Sequence, residues 1–190
     1  MRAMGIDIGT TTISVILVDG QSGELLGSRT VLHQAFIEGA YSCNRVQNPE
    51  KLYEVARKAA VELAAERGKP DSIGFTGQMH GVLYVDKEGR AVTPLYTWQD
   101  ESGNEKFSGD RTYEHILREK VGVSATGYGM TTHFFLCHKK EVPEKACWMT
   151  TISDYIAMRF CNRIKPVLAR DMAASWGCFD LEKGKFLKEK

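Results

Sequence analysis

Long runs of apolar residues are missing from the sequence. Residues 1–7 read Met-Arg-Ala-Met-Gly-Ile-Asp and contain neither the apolar stretch nor the small-residue cleavage site of a secretion signal. No later segment approaches the roughly 20 apolar residues that a membrane-spanning helix needs. These absences predict a cytoplasmic protein with no membrane partner.

A surplus of charge of either sign is missing as well. The chain has 25 Lys and Arg against 24 Asp and Glu, interspersed along its length, for a formal net charge of +1. Proteins that bind nucleic acid or anionic surfaces usually carry a basic patch or stripe. The balance therefore excludes nucleic acid as the expected partner and favours small-molecule chemistry.

Closely spaced cysteine pairs are the third absence. The five cysteines form an odd, widely spaced set with no CxxC pair, which disfavours both a disulfide framework and a zinc site. We expect five reduced thiols that pack as small buried apolar side chains. With 190 residues, 43% of them hydrophobic, the chain is long enough for one globular unit with a sizeable core.

The order of predicted elements indicates a mixed α/β fold. Short apolar runs bounded by turn formers predict a three-stranded antiparallel start at residues 4–8, 12–18 and 24–32, and further strands at 72–76 and 82–85. Apolar residues recur at helical spacing beyond Trp98. Strands, then a packed helix, then more of both are typical of a mixed sheet and not of a bundle or a sandwich.

The clearest helix follows a predicted loop at residues 33–47. Asn48 suits its N-cap, Pro49 its first position, and Gly68 a left-handed cap at its end. Between them apolar residues recur at i, i+3, i+4 and i+7, which predicts one face packed on a sheet.

The first candidate site lies in residues 5–12, which read Gly-Ile-Asp-Ile-Gly-Thr-Thr-Thr. A glycine in a tight turn lets the backbone approach a phosphate, N–H groups and hydroxyls can donate to its oxygens, and a carboxylate can hold hydrated magnesium. The residues that would take part are Asp7, Gly9, Thr10, Thr11 and Thr12. An ordinary β-turn, with Asp7 accepting local backbone hydrogen bonds, explains the same string.

Two later segments carry groups that suit a sugar. Residues 77–81 (GQMHG) offer the amide of Gln78, the thioether of Met79 and the imidazole of His80, although a histidine beside glycines is also typical of a hydrogen-bonded turn. Residues 97–100 (TWQD) add the indole of Trp98 and the carboxylate of Asp100. The alternative for this pair is a core tryptophan beside a capping aspartate.

These segments together carry a family resemblance. Residues 5–12, called the phosphate turn below, resemble the phosphate-binding hairpin of the sugar kinase, Hsp70 and actin superfamily. Four segments then stand in the order found in the FGGY carbohydrate kinases: residues 77–81, 97–100, 153–158 (SDYIAM) and 170–177 (RDMAASWG). Within that family, TWQD, AASWG and the Gly-Tyr-Gly turn at 127–129 are most similar to kinases of the ketose sedoheptulose, and GQMHG is shared with those of xylulose.

The resemblance implies a ribonuclease-H-like α/β amino-terminal lobe, with a mixed sheet, antiparallel first hairpins and packed helices. It implies ATP and magnesium as cofactors, with the metal held by Asp7 through water, and a ketose such as sedoheptulose as the substrate. Gln78, Met79, His80, Trp98 and Asp100 would line the sugar pocket. Asp171 and Ser175 would shape the cleft from its far side, although burial and capping explain these two nearly as well.

The resemblance also implies an incomplete protein. Residues 1–190 correspond to well under half of a family member, so the catalytic aspartate base, the second phosphate segment and the adenosine pocket would lie beyond Lys190, largely in a missing carboxy-terminal lobe. The isolated chain is therefore expected to be inactive. A non-catalytic sugar-binding or regulatory module is the alternative; GQMHG and TWQD disfavour an ATPase of the Hsp70 or actin type. The sequence leaves open whether two copies form a homodimer.

Overall fold

The computed structural model of the protein describes residues 1–187, so residues 188–190, the end of the predicted 1–190 domain, lie outside the described part. In chain order the elements are β1 (Arg2–Ile8), β2 (Thr12–Asp19), β3 (Leu25–Leu32), β4 (Phe36–Ile37), β5 (Val46–Gln47), α1 (Pro49–Arg67), β6 (Ser72–Gly77), β7 (Leu83–Val85), β8 (Leu95–Tyr96), a 3-10 turn (Ser102–Asn104), β9 (Lys106–Ser108), β10 (Arg111–Thr112), α2 (Tyr113–Val121), α3 (Gly129–Lys139), β11 (Trp148–Thr150), α4 (Ile152–Phe160), α5 (Arg170–Ser175), β12 (Phe179–Asp180) and β13 (Lys185–Phe186).

A four-stranded mixed sheet in the order β3-β2-β1-β6 forms the centre of the fold. Strand β2 runs antiparallel to both β1 and β3, and β6 runs parallel to β1. Alternate side chains of β1 and β2 point to one face and are at most 2% exposed: Met4, Ile6, Ile8, Ile13, Val15 and Leu17. This two-residue period is that of β-strands with one buried face, and it explains why these segments form a sheet. The predicted α/β class and the antiparallel start are confirmed.

Helix α1 covers that buried face. The Asn48 side chain accepts a hydrogen bond from the backbone N–H of Lys51 at 3.1 Å, and Pro49 takes the first helical position, as predicted. The end of the helix differs from prediction: Gly68 has φ +101° and ψ 156°, which is outside the left-handed helical region. A Cβ there would lie 1.9 Å from a guanidinium nitrogen of Arg2, a flexible side-chain end that can move away, so it is the positive φ that favours glycine.

The opposite face of the sheet is partly bare. Gly5 and Gly74 lie side by side on it in β1 and β6, and Ile16 beside them is 43% exposed. The missing side chains leave a groove of about 320 Å³. Asp7 and Thr76 lie on this face towards the ends of their strands, so the sheet points the Asp7 carboxylate away from α1.

The predicted loop at residues 33–47 is wrong in part. Strands β4 and β5 lie inside it and form a three-stranded antiparallel sheet with β8. Two-residue strands are too short to show a hydrophobic period, because one alternation cannot be distinguished from chance. The predicted strand at 82–85 exists as β7, but it pairs with β11 outside the central sheet.

The later helices build a second hydrophobic cluster. Tyr113 at the start of α2 packs edge to face on Phe135 of α3, with ring centroids 5.0 Å apart, and Trp176 after α5 belongs to the same cluster. Helix α4 instead joins α1 at the central sheet, through side chains such as Tyr155 and Ile156. The helical pattern predicted beyond Trp98 is thus confirmed.

The cysteine prediction is partly wrong. All five cysteines are free, but Cys137, Cys147 and Cys161 are exposed, and only Cys43 and Cys178 are buried. The exposed three lie at or next to the ends of α3, β11 and α4, where side chains reach solvent. Within residues 1–187, no helix is both long enough and apolar enough to cross a bilayer.

We expect Leu52→Ala in α1 to lower the free energy of unfolding by about 2–5 kcal/mol, because Leu52 is fully buried between α1 and the sheet and its truncation leaves a cavity. Val61→Ala on the same helix is the control: Val61 is 55% exposed, and its truncation should change stability by less than about 0.5 kcal/mol. Urea unfolding followed by circular dichroism measures both. Equal effects of the two substitutions would contradict the described burial of α1.

Candidate functional site

The turn between β1 and β2 brings the backbone into close contact with itself. The N–H of Gly9 donates to the carbonyl oxygen of Thr12 at 2.9 Å, and a Cβ on Gly9 would lie 3.0 Å from that same oxygen. Only a residue without a side chain fits this approach comfortably. Thr11 is exposed at the tip, and Thr10 and Thr12 are half-buried, so the three threonines surround a tight, open turn.

Asp7 stands next to this turn. It occupies the last part of β1, opposite Ser14 of β2 and Thr76 of β6, and is exposed. Mg²⁺ commonly keeps several waters and binds through one or two carboxylates together with substrate phosphates. One exposed carboxylate beside a turn rich in hydroxyls fits that donor set. Within residues 1–187, no group of three His, Cys, Asp or Glu side chains converges into a metal site.

Trp98 connects the second segment to the turn. Its indole N–H donates to the hydroxyl of Thr10 at 3.0 Å, and the side chain is 47% exposed, so the alternative of a core tryptophan is wrong. Gly127 lies against the backbone of Trp98. With φ +82°, Gly127 lies so close that a Cβ would be 2.0 Å from the Trp98 carbonyl oxygen. The Gly-Tyr-Gly turn at 127–129 thus packs against the backbone of Trp98 at Gly127, where a larger residue does not fit.

Gln78 reaches the same turn through a residue that the sequence did not single out. Its backbone N–H donates to the carbonyl oxygen of Ile8 at 2.8 Å, and its side-chain Nε2 donates to Oε1 of Gln47 at 2.9 Å. Nε2 of Gln47 in turn donates to the carbonyl oxygen of Thr10 at 2.8 Å. Three separate segments of the chain therefore meet at Thr10.

His80 is held by the segment around Ser175. It adopts φ +70°, its backbone N–H donates to Oγ of Ser175 at 3.2 Å, and its Nδ1 lies 2.5 Å from the Ser175 carbonyl oxygen. Because a carbonyl only accepts, Nδ1 carries the proton of this hydrogen bond, and in the tautomer protonated at Nδ1 the acceptor is Nε2. The ring stacks on Tyr128 with centroids 4.4 Å apart. His80 is thus a hydrogen-bonded turn residue, while its neighbour Met79 is 44% exposed.

Asp100 is fully buried and surrounded by donors. One carboxylate oxygen accepts from Asn44 Nδ2 at 3.0 Å and from the backbone N–H of Arg45 at 3.3 Å; the other accepts from the N–H and the hydroxyl of Ser102. Burial raises the pKa of Asp100, and these hydrogen bonds oppose the shift. The carboxylate organises the loop that carries Trp98.

Ser175 and Asp171, the last two predicted site residues, differ in burial. Ser175 is buried, and its hydroxyl donates to the carbonyl oxygen of Met172 at 2.8 Å while receiving the His80 N–H, so it joins α5 to residues 77–81. Asp171 is exposed in the first turn of α5. Burial raises the pKa of Asp154, and the Asp171 charge adds to that shift.

Several residues that contact the predicted site were not predicted as site residues, among them Gln47, His33, Tyr128 and the three residues that donate to Asp100. The backbone N–H of His33 donates to the carbonyl oxygen of Thr11 at 3.2 Å. Burial lowers the pKa of His33, and the carbonyl groups of Thr10 and Gly9 partly offset the shift. The only signal near Gln47 was the helix cap that follows it, which says nothing about where its amide points.

We expect Asp100→Asn to lower the free energy of unfolding by about 1–3 kcal/mol in the absence of any sugar. The substitution replaces one accepting carboxylate oxygen by an NH2 group, which would then face N–H or O–H donors. The hydrogen bonds lost in this way cost more than is gained by removing the buried charge. Asp110→Asn, at an exposed aspartate, is the control and should change stability by less than about 0.5 kcal/mol. An unchanged urea midpoint for Asp100→Asn would show that the four donors do not hold the carboxylate.

Known proteins with similar sequences are sugar kinases. The chain is 29% identical to sedoheptulokinase of Homo sapiens over 94% of this chain and 42% of that protein. It is 30% identical to a xylulose kinase of Staphylococcus epidermidis over 74% of this chain and 28% of that protein. The chain thus spans about two fifths of the length of the human relative.

Solved structures share the fold. A xylulose kinase from Rhodospirillum rubrum superposes with a TM-score of 0.78 at 20% identity, covering 98% of this chain and 39% of that one. A xylulose kinase from Lactobacillus acidophilus gives a TM-score of 0.77 at 22% identity, with 97% of this chain and 38% of that chain covered. These neighbours confirm the predicted fold, an amino-terminal α/β lobe shared with sugar kinases.

The remaining comparison is with protein-family models. The model described as the FGGY family of carbohydrate kinases, N-terminal domain, matches residues 2–189. That range contains the turn between β1 and β2, residues 77–81 and 97–100, and the α5 segment that holds His80. The chain belongs to the FGGY family of carbohydrate kinases.

Proposed function

We propose that the complete protein is an ATP-dependent kinase of a ketose such as sedoheptulose, and that this chain supplies the sugar pocket and the first phosphate-binding turn. The hydrogen bond from the Trp98 indole to the Thr10 hydroxyl carries the proposal. It joins a residue suited to a sugar face to a residue suited to a phosphate, and a phosphoryl transfer enzyme must hold those two substrates side by side.

The turn residues would bind the phosphate end of ATP. Gly9 allows close approach, the turn N–H groups and the hydroxyls of Thr10, Thr11 and Thr12 would donate to phosphate oxygens, and Asp7 would hold hydrated Mg²⁺. The metal, when bound, neutralises charge on the phosphate oxygens. The exposure of Asp7 and Thr11 supports this assignment, because a ligand can reach both.

The sugar would lie beside Trp98. The exposed indole and the Met79 side chain suit the apolar C–H surface of a sugar, and Nε2 of His80 would accept a hydrogen bond from a sugar hydroxyl. Gln78 would offer its amide oxygen to a sugar hydroxyl. Asp100 would act indirectly, by fixing the loop that carries Trp98, because its own carboxylate is fully buried and does not reach the sugar.

The catalytic base and the adenosine site are proposed to lie in the part of the protein that follows this chain, largely in the carboxy-terminal lobe. The coverage of about two fifths of human sedoheptulokinase supports this division. On this proposal residues 1–190 bind a sugar weakly and do not transfer phosphate. Five free thiols are consistent with the proposed cytoplasmic location.

We expect the protein extended through its complete reading frame to release ADP from MgATP with one ketose of a panel, and residues 1–190 to release none. The panel contains sedoheptulose, xylulose, ribulose and glycerol, and a coupled ADP assay measures turnover. A complete protein that binds a panel sugar in calorimetry but transfers no phosphate would favour a sugar-binding or regulatory module instead.

In the complete protein we expect Asp7→Asn to lower kcat by about 10²- to 10³-fold, since it removes a preorganised charge beside the transferred phosphate. The ketose Kd should stay within about threefold, because the sugar lies beside Trp98. Asp110→Asn serves as the exposed control and should keep full turnover. Unchanged kcat in Asp7→Asn would remove this residue from the phosphate site.

A further inference from the structure

We propose that Gln47 is a positioning residue, which fixes the phosphate turn relative to the sugar-facing residue Gln78 through a directional relay of two amide hydrogen bonds. The relay runs from Gln78 Nε2 to Gln47 Oε1 at 2.9 Å, and from Gln47 Nε2 to the Thr10 carbonyl oxygen at 2.8 Å. The inference rests on the proposed kinase function, because it assigns the two ends of the relay to the two substrates.

The Thr10 carbonyl sets the direction of the whole relay. A backbone carbonyl can only accept, so Gln47 must present its nitrogen to Thr10 and its oxygen to Gln78. Gln78 must then turn its own nitrogen towards Gln47. Reversing either amide would place donor against donor or acceptor against acceptor, and one direction of the relay is therefore much more stable than the other.

The backbone around Gln47 leaves the amide little freedom. Gln47 is fully buried and belongs to the middle strand of the β4-β5-β8 sheet, where it pairs with Phe36 on one side and Leu95 on the other. A buried amide with both its groups hydrogen-bonded holds its partners in a defined arrangement. Strand β5 thus acts as a fixed support between the phosphate turn and residues 77–81.

One end of the relay remains open. Gln78 is 9% exposed, and its Oε1 is a buried acceptor without a hydrogen-bond partner among the described residues. A buried acceptor without a donor is unfavourable, so a hydroxyl that reaches this atom is favoured over one that does not. Donation to Oε1 would polarise the Gln78 amide and strengthen the two hydrogen bonds that follow.

The relay meets the Trp98 hydrogen bond at the same residue. Thr10 accepts from Gln47 at its carbonyl and from Trp98 at its hydroxyl. The turn is therefore held directly by Trp98, which would contact the sugar, and through Gln47 by Gln78, which would contact it as well. A displacement of about 1 Å between reacting groups can lower a rate by about 10²-fold. Loss of the Gln47 amide should therefore affect turnover more than sugar affinity.

The test compares three variants of the complete protein. Gln47→Met keeps the size of the side chain and removes both hydrogen bonds; Gln47→Glu keeps the acceptor for Gln78 and places an oxygen against the Thr10 carbonyl. Gln21→Met, in the exposed turn between β2 and β3, is the matched control. We expect both Gln47 variants to lower kcat by about 10- to 100-fold with the ketose KM within about threefold, and the control to be unchanged.

A second measurement separates positioning from stability. Hydrogen exchange followed by mass spectrometry should show faster exchange in peptides covering residues 8–13 in both Gln47 variants, while peptides from α1 keep their protection. Retained kcat in both variants would overturn the proposal, and so would exchange that rises equally across the chain. If the complete protein phosphorylates no ketose, the proposed function fails, and the exchange of residues 8–13 alone decides whether the relay holds the turn.

Discussion

The site depends on how the turn between β1 and β2 is held. A two-strand hairpin turn with a glycine and three threonines is small and open, and the proposed phosphate site requires its donors to stay in place. Thr10 receives hydrogen bonds from Gln47 and from Trp98, which come from β5 and from the loop after β8. These two contacts fix the turn relative to Trp98 directly and relative to Gln78 through Gln47.

Buried polar groups arrange the rest of the site. Asp100 is enclosed by donors from Asn44, Arg45 and Ser102, and His80 is fastened to Ser175. Each such group is costly to bury unless it is hydrogen-bonded, so each accepts few alternative arrangements. The loops that carry Trp98 and His80 are therefore well defined although they contain little regular secondary structure. The fold uses apolar packing for its layers and hydrogen bonds for the site.

Local signals account for the parts of the fold that were predicted. The alternation in β1 and β2 and the caps of α1 are properties of neighbouring residues, so they can be found without knowledge of the tertiary structure. The short strands β4 and β5 could not be found in this way, because β5 is stabilised by pairing with β8 nearly fifty residues away, and β4 by pairing with β5. The exposed cysteines were missed for a related reason, since exposure depends on what packs above a residue.

The sequence by itself determined the α/β class, the tight turn after β1 and the residue types suited to phosphate and sugar, because these depend on short-range patterns and on side-chain chemistry. Only the tertiary structure decided that Trp98 is an exposed partner of Thr10, that Asp100 faces its own loop, and that Gln47 lies between the turn and Gln78. The physical reason is that hydrogen-bond partners separated by tens of residues are chosen by three-dimensional packing, and spacing along the chain does not encode the direction in which an amide or an indole points.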